Sequence, residues 1–346
     1  DNQELVPLAA SYARIVGFSY ILNSITGVYV GAHRSMENPK LGMVIFAISM
    51  LTNTFLNWVF IFGNLGAPAL GVEGAALATL LSRTVEFVIM VTYALTNARF
   101  RLKPALLLRP GSALLQKFVR YSGPVVLNET LWGLGNSLYK VVMGHMEGST
   151  EILAARALAG NMEDLCTVAI FAISGTTAII IGREIGAGRR EQVYEMGAAL
   201  NTMAMGCGLV IGLVLIGGAW WIFPGLVYPF FHLSSVSGGI TTMMLTFTGV
   251  FLPLRAFNTV NTVGVLRGGG DVRAATVIDL LPLWLVALPL AAIFGLGLKW
   301  GIFWVYVGIM MESTTKFFLG VPRFRSRAWI NDVTQFSHVK EGEPSL

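Results

Sequence analysis

Long apolar stretches separated by short polar connections run along the chain to about residue 320. Each stretch has roughly 20 residues or more, which lets a helix cross a hydrocarbon layer of about 30 Å. None shows the alternating pattern of a membrane β-strand. A helix pairs all its backbone N–H and C=O groups internally, as the lipid interior requires. The sequence therefore predicts an all-α polytopic membrane protein with about nine transmembrane helices. Their predicted limits are Val6–Gly31, Leu41–Phe62, Val72–Leu95, Phe118–Met143, Ile152–Gly182, Val193–Phe223, Gly238–Leu266, Ala275–Leu296 and Ile302–Gly320.

One connection, from Asn97 to Lys117, is longer than the others. It is basic and contains proline, as expected of a linker between two helical bundles. On this basis the chain consists of three helices in residues 1–97, a cytoplasmic linker in 98–117, six helices in 118–322 and a cytoplasmic tail in 323–346.

Composition excludes an ordinary soluble domain. Hydrophobic residues make up 54% of the 346 residues and charged residues 12%, whereas soluble domains are about one quarter charged. Cys166 and Cys207 lie in apolar stretches without a partner at metal-ligand spacing, so we interpret them as packing residues. The net charge of +5 is typical of basic cytoplasmic loops, and we expect no nucleic-acid partner.

Basic residues are concentrated in alternate connections between the predicted helices. One set of connections carries Arg34, Lys40, Arg99, Arg101, Lys103, Arg109, Lys117, Arg120, Arg183, Arg189, Arg190, Arg267, Arg273, Arg323, Arg325, Arg327 and Lys340. The other set carries only Lys299. By the positive-inside rule the first set is cytoplasmic, which places the C-terminus inside the cell and Asp1 outside.

The first three predicted helices are repeated by the last three. Gly31–Arg34 ends the first helix as Gly264–Arg267 ends the seventh, and Glu86 and Glu312 stand at corresponding places in the third and ninth. Parallel repeats of this kind are typical of transporter halves. Since helices four to six have no counterpart before helix one, we expect that about 120 further residues precede this chain in a complete protein.

Six segments carry a family resemblance. They are Arg34–Lys40, Asn64–Thr79, Gly123–Trp132, Gly182–Arg189, Leu266–Asp271 and Arg323–Asn331. Together they resemble the MATE (multidrug and toxic compound extrusion) transporters, and three of them a prokaryotic branch of that family. The resemblance implies two six-helix lobes, of which this N-terminally truncated chain would hold helices 4–12. Residues 1–97 would then be the second half of the N-terminal lobe, and residues 118–322 the C-terminal lobe.

The function that this resemblance implies is secondary antiport rather than an enzymatic reaction. A monomer in the cell inner (plasma) membrane would export small organic, cationic compounds by alternating access, driven by influx of Na⁺ or H⁺ and with no other cofactor. Two alternatives stay open: a flippase for lipid-linked saccharides or peptidoglycan precursors, and a nonfunctional truncated fragment. We expect more acids than bases inside the second lobe, which favours cation export over the flippase.

A carboxylate that many MATE transporters place in their seventh helix is matched by Glu129, with Asn128 beside it. An ionisable side chain at bilayer depth normally faces the bundle interior. We predict that Glu129 couples the two fluxes by binding Na⁺, a proton or an organic cation; a structural hydrogen bond is the alternative. The acid often found in the tenth helix is not matched, because Ala256 stands there with Arg255 beside it.

Three further acids are candidate coupling or substrate residues. Glu163 and Asp164 are adjacent, about 100° apart around the helix axis, so only one of them can face the interior directly. Asp279 lies about one turn into helix eight. Arg255 is the natural counter-charge for one of these acids.

Two pairs at helical spacing are predicted to be structural ion pairs. Arg83 and Glu86 are three positions apart, and Glu312 and Lys316 are four apart, so each pair can neutralise itself on one helix face.

The end of the chain is basic and aromatic. It contains Arg323, Phe324, Arg325, Arg327 and Trp329. Such a segment is predicted to hold the C-terminus at the lipid headgroups.

Overall fold

Every regular element in the described part of the chain is helical. The computed structural model describes residues 5–36, 38–96 and 112–331. Nine long helices lie in these ranges, which confirms the number predicted from the sequence. They are α1 (Leu5–Ser35), α2 (Lys40–Phe62), α3 (Val72–Thr96), α4 (Ser112–Gly144), α5 (Ser149–Gly186), α6 (Arg190–Phe230), α7 (Ser235–Leu266), α8 (Val272–Gly297) and α9 (Ile302–Arg325). Most of the predicted linker and of the predicted tail lies outside the described residues.

Seven of these helices are long and apolar enough to cross a membrane. The other two, α4 and α9, have 33 and 24 residues, so length is not what sets them apart. They carry charged residues in their interior, among them Glu129 in α4 and Lys316 in α9, which lower their mean hydropathy. The side chains of both residues pair with charged groups of other elements, as an ionisable residue at bilayer depth requires.

Two compact units make up the chain, Asp1–Gly111 and Ser112–Leu346. In the first unit, α1 and α2 both pack on α3. A side chain at Gly74 of α3 would collide with the backbone of Phe60 in α2, so glycine permits this close approach. Arg83 lies 2.6 Å from the buried carboxylate of Glu86, and this predicted ion pair is confirmed.

In the second unit, α7 packs against α5, α6 and α9. Its contact with α6 is close because small residues face each other. A side chain at Gly212 of α6 would meet the carbonyl oxygen of Gly249 in α7, and one at Gly208 would meet the backbone of Leu252 and Pro253. In lipid, close packing of this kind contributes to helix association, since apolar side chains gain little there by leaving water.

Two hydrophobic clusters lie at opposite ends of the second unit. One lies where the ends of α4, α6 and α8 meet the starts of α5, α7 and α9. The other, which we call the basic-end cluster, joins the end of α5 to the start of α6, the end of α7 to the start of α8, and the end of α9. It contains Ile181, Ile185, Val193, Val265, Leu266, Ala275, Ile278, Phe324 and Trp329. Two basic connections, α5–α6 and α7–α8, and the basic segment at the end of α9 are therefore on one side, as the alternation of charge predicted.

The end of the chain, which the sequence predicts at the lipid headgroups, packs its aromatic residues against protein. Trp329 is 0% exposed and its Nε1 donates to the carbonyl oxygen of Phe324 at 2.9 Å. Gly269 faces the indole ring, and a side chain there would collide with Trp329. Arg323 binds Asp271 at 2.6 Å, while Arg327 lies 4.3 Å from the ring centroid of Tyr194. The aromatic residues thus close the basic-end cluster.

Helices α7 and α8 are interrupted by wider, π-helical turns, at Val260–Leu266 in α7 and at Leu283–Ala287 and Ile293–Gly297 in α8. In α8 the π-helical turn Leu283–Ala287 begins directly after Pro282, which has no backbone N–H to donate to the regular hydrogen-bond ladder. Turns of this type often occur at functional sites.

Candidate functional site

A cavity of about 210 Å³ lies among α4, α5, α7, α8 and α9. Charged residues of both signs line it: Glu129, Arg156, Glu163, Arg255, Arg267, Asp279, Glu312 and Lys316. The four acids are matched by four bases, so the expectation of more acids than bases in this interior is wrong. Arg267 accounts for part of the difference. It directly follows α7 and had the sequence position of a cytoplasmic loop residue, yet it lines the cavity.

The first group of charges is an arginine cluster, formed by Arg156, Glu163 and Arg255. Glu163 of α5 makes an ion pair with Arg255 of α7 and lies 3.4 Å from Arg156. The prediction that Arg255 is a counter-charge for one of the acids is confirmed. Asp164 is exposed and is not among the lining residues, because the next position on a helix points about 100° away.

The second group is a lysine cluster, formed by Lys316, Asp279 and Glu312. The ammonium of Lys316 lies 2.6 Å from Asp279 Oδ1 and 2.8 Å from Glu312 Oε1. Asn128 Nδ2 donates to Asp279 Oδ2 at 2.8 Å, and the Tyr139 hydroxyl donates to Glu312 Oε2 at 3.0 Å. The predicted contact of Glu312 with Lys316 is confirmed, but the pair does not neutralise itself alone, since Lys316 also binds α8 through Asp279.

Glu129 lies apart from both clusters and is the most accessible acid of the cavity. Its side chain is 59% exposed, whereas those of Asp279, Glu312 and Glu163 are 18%, 16% and 11% exposed. Arg267 NH1 lies 2.9 Å from Glu129 Oε1. The sequence offered no base near Glu129, and the structure corrects this by supplying one from a position 138 residues away.

Several buried polar atoms around Asp279 have no hydrogen-bond partner among the described residues. They are Asn128 Oδ1 and the Nε and NH2 atoms of Arg267. Arg267 NH2 lies 3.9 Å from Asp279 Oδ2, too far for a hydrogen bond. The guanidinium of Arg267 is therefore placed between Glu129 and Asp279 but is hydrogen-bonded only to Glu129.

Sodium binding at Glu129 is still a prediction. In the part of the chain that the structure describes, no group of three or more His, Cys, Asp or Glu residues is placed to hold a metal ion. At Glu129 a bound Na⁺ would compete with Arg267 for the same carboxylate oxygen.

Besides Arg267, sequence reasoning missed two further charged or polar partners in the cavity, Arg156 and Tyr139. Arg156 stands seven positions before Glu163, which is two helical turns, and that spacing was a usable signal. Tyr139 binds Glu312 across a separation of 173 residues, for which the sequence has no local sign.

Comparison with known proteins identifies the family. A family model described as MatE matches residues 1–59 and 124–293. The uncharacterized transporter YisQ of Bacillus subtilis is 24% identical over 331 residues, which cover 95% of this chain and 70% of YisQ. A probable multidrug resistance protein NorM of Thermotoga maritima is 22% identical over 326 residues, covering 94% of this chain and 68% of NorM.

Solved structures share the fold. A crystal structure of a MATE protein in complex with MaL6 superposes with a TM-score of 0.81 at 21% identity, covering 94% of this chain and 71% of that one. The chain is a multi-pass membrane protein, and since the family model matches more than half of it, it belongs to the MATE family, whose members are transporters and not enzymes.

Proposed function

We propose that the protein is a secondary antiporter that exports small organic cations in exchange for inward Na⁺ or H⁺. The observation that carries the proposal is the convergence of eight charged side chains on one cavity among membrane-crossing helices. Charged residues inside a membrane are costly to keep and typically mark pathways for ions or substrates. The name of the Thermotoga relative, a probable multidrug resistance protein, supports export of foreign organic compounds.

Glu129 is the proposed contact for the exported cation. It is the only one of the four cavity acids whose side chain is mostly exposed, and it has a single ionic partner in the described residues, Arg267. The carboxylate is accessible to an organic cation, which would compete with that guanidinium for it. The aromatic rings of Trp132 and Phe171 line the same cavity and offer apolar surface to the organic part of the substrate.

The experiment is export of ethidium from proteoliposomes that contain the full-length protein, under a Na⁺ or a pH gradient. We expect Glu129→Gln to lower the initial rate at least about tenfold, because Gln lacks the negative charge that attracts the cationic substrate. Purified yield and elution profile should stay near wild type, since the Glu129 side chain is mostly exposed.

The matched control is Glu147→Gln, which removes an exposed carboxylate from the connection between α4 and α5. It should export at the wild-type rate. If Glu129→Gln also exports at that rate, Glu129 is not the contact for the exported cation and the proposed mechanism fails.

The arginine cluster favours a second candidate, the flippase. Two arginines around Glu163 leave an excess of positive charge, which would suit an anionic headgroup. Reconstituted protein that moves a lipid-linked anionic saccharide across the bilayer, and does not export ethidium, would select this alternative.

We also propose that the C-terminus is cytoplasmic. The connections that carry Arg183, Arg189, Arg267 and Arg273 meet at the basic-end cluster, and the positive-inside rule assigns that side to the cytoplasm.

A further inference from the structure

We propose that Asp279 binds the coupling ion, a monovalent cation, and that Arg267 transmits its occupancy to Glu129. The inference rests on the proposed function and deepens it: the exported cation meets Glu129, while a second carboxylate of the same cavity holds the ion. Three features carry the argument, namely the local charge, an unpartnered buried oxygen, and the place of Arg267 between two carboxylates.

The lysine cluster holds more negative than positive charge. One ammonium, that of Lys316, faces the carboxylates of Asp279 and Glu312 at 2.6 and 2.8 Å. The other donors to these carboxylates, Asn128 and Tyr139, are neutral. The nearest further cation, Arg267, lies 3.9 Å from Asp279 and is hydrogen-bonded to Glu129, so the excess negative charge favours uptake of one proton or one Na⁺. The arginine cluster has the opposite excess, so the cavity as a whole is balanced only while this site is empty.

Asn128 is an independent sign of a ligand at Asp279. The residue is 1% exposed, and its Nδ2 donates to Asp279 Oδ2 at 2.8 Å. Its Oδ1 is buried and has no hydrogen-bond partner within the described ranges. A buried acceptor left unpaired is unfavourable. If the amide turns its oxygen toward Asp279, this oxygen would pair with Na⁺ bound there or with a proton on the carboxyl group.

Arg267 is placed to serve two carboxylates in turn. NH1 lies 2.9 Å from Glu129 Oε1, and NH2 lies 3.9 Å from Asp279 Oδ2. The side chain is only 13% exposed, and its Nε and NH2 have no hydrogen-bond partner in the described residues. A shift of about 1 Å toward Asp279 would bring NH2 into hydrogen-bond distance.

This arrangement makes ion and substrate mutually exclusive. When an ion neutralises Asp279, the guanidinium of Arg267 is attracted by Glu129 alone and covers it, which lowers affinity for an organic cation. When an organic cation occupies Glu129, the released guanidinium moves toward Asp279 and displaces the ion. By linkage, each ligand weakens the other by the same factor, which is what antiport requires.

Ion binding at Asp279 also changes how two helices are tied. Lys316 bridges α9 to α8 through Asp279, but its contact with Glu312 stays within α9. An ion bound to Asp279 weakens the Lys316–Asp279 bridge between α8 and α9, and it leaves the Lys316–Glu312 contact within α9 unchanged. The π-helical turn Leu283–Ala287 follows one turn later and gives α8 a place to adjust.

The test measures binding of tetraphenylphosphonium, a permanently charged organic cation, to purified full-length protein. Na⁺ is raised at constant pH in one series, and pH is lowered without Na⁺ in the other. We expect affinity to fall roughly 5- to 150-fold, the usual range of coupling between sites, in the series that adds the coupling ion. The series that shows the fall distinguishes Na⁺ from H⁺.

Two variants locate the effect. Asp279→Asn mimics the neutralised site, so it should bind the probe as weakly as ion-saturated wild type and respond little to either ion. Arg267→Gln should bind at least as tightly as ion-free wild type and lose most of the response. The matched control is Arg273→Gln, at an exposed position in the first turn of α8 outside the cavity lining, which should behave as wild type.

A response of wild-type size in either variant would overturn the inference, because the ion would then act directly at Glu129. If the probe affinity of wild type responds to neither ion, the inference is also overturned. The same holds if Arg267→Gln folds but no longer binds the probe, because that result indicates a purely structural role for Arg267. If Arg267→Gln does not fold, Asp279→Asn decides alone. Failure of gradient-driven export in wild type would contradict the proposed function, whereas unchanged competition in the variants contradicts only this inference.

Discussion

Removal of the lysine at the centre of the lysine cluster should destabilise the protein strongly. Lys316 is the direct ionic partner of Asp279 and Glu312, and its side chain is 9% exposed. Lys316→Met keeps much of the apolar stem but leaves two mostly buried carboxylates facing each other. Breaking a buried pair by removing one partner costs about 3–5 kcal/mol. We expect the lower end, about 3 kcal/mol, because the carboxylates retain some exposure and can take up protons.

The sign of the pH dependence follows from the same charges. Without Lys316 the remaining carboxylates repel each other when both are ionised, and a proton on one of them relieves the repulsion. The loss of stability in Lys316→Met should therefore shrink as pH falls. Asp279→Asn in the same protein removes one of the two charges and should restore part of the stability, a non-additive result that shows direct interaction.

The assay is thermal unfolding of the full-length protein in detergent across a range of pH, with Lys140→Met as the control. Lys140 is an exposed lysine on α4 that the cavity does not include. If Lys316→Met melts no lower than Lys140→Met, the lysine cluster does not stabilise the bundle.

Two further predictions concern the basic-end cluster and the topology. Trp329→Ala should cost about 3–5 kcal/mol in unfolding measurements, because it empties a fully buried site, whereas Trp221→Ala, at an 85% exposed residue, should cost less than about 1 kcal/mol; equal losses would show that the indole is not part of the core. Single cysteines in place of Gly188 and Gly148 should react with a membrane-impermeant thiol reagent from the cytoplasmic and the external side respectively, and labelling of both from one side would refute the orientation.

The helical fold was predictable because the hydropathy of a segment depends only on its own residues, and not on contacts with distant parts of the chain. All nine helices appear where apolar stretches of sufficient length stand, and even α4 and α9 were recognised despite their internal charges. Boundaries were less predictable: α5 extends to Gly186 although its apolar pattern ends near Gly182. Polar residues such as Glu184 continue the helix there because Arg183 and Arg189 bind its carboxylate.

Contacts within one helix turn were also predictable, whereas those across the bundle were not. Helical spacing identified the contact of Glu312 with Lys316, but it cannot show that Asp279 binds the same ammonium. The partner of Glu129 was missed for a related reason. Arg267 ends a helix next to glycines and so has the sequence character of a loop charge, and only the packing of α7 against its neighbours brings it to the cavity.

The C-terminal segment shows how packing overrides composition. Aromatic and basic residues together are typical of a headgroup anchor, and Trp329 fits that pattern in sequence. Gly269 has no Cβ atom, which leaves room for the indole ring, so Trp329 is buried against protein. Burial of its large apolar surface gives the segment a fixed place at the end of the bundle.

Binding of the substrate should release the coupling ion, and this release can be measured directly. Purified full-length protein, equilibrated with Na⁺ in one sample and in weak buffer without Na⁺ in another, is titrated with tetraphenylphosphonium while free Na⁺ or pH is recorded. We predict that saturating substrate releases about one Na⁺ or one proton per protein, because each ligand weakens binding of the other. Saturable binding of the substrate with release of neither ion would contradict the account.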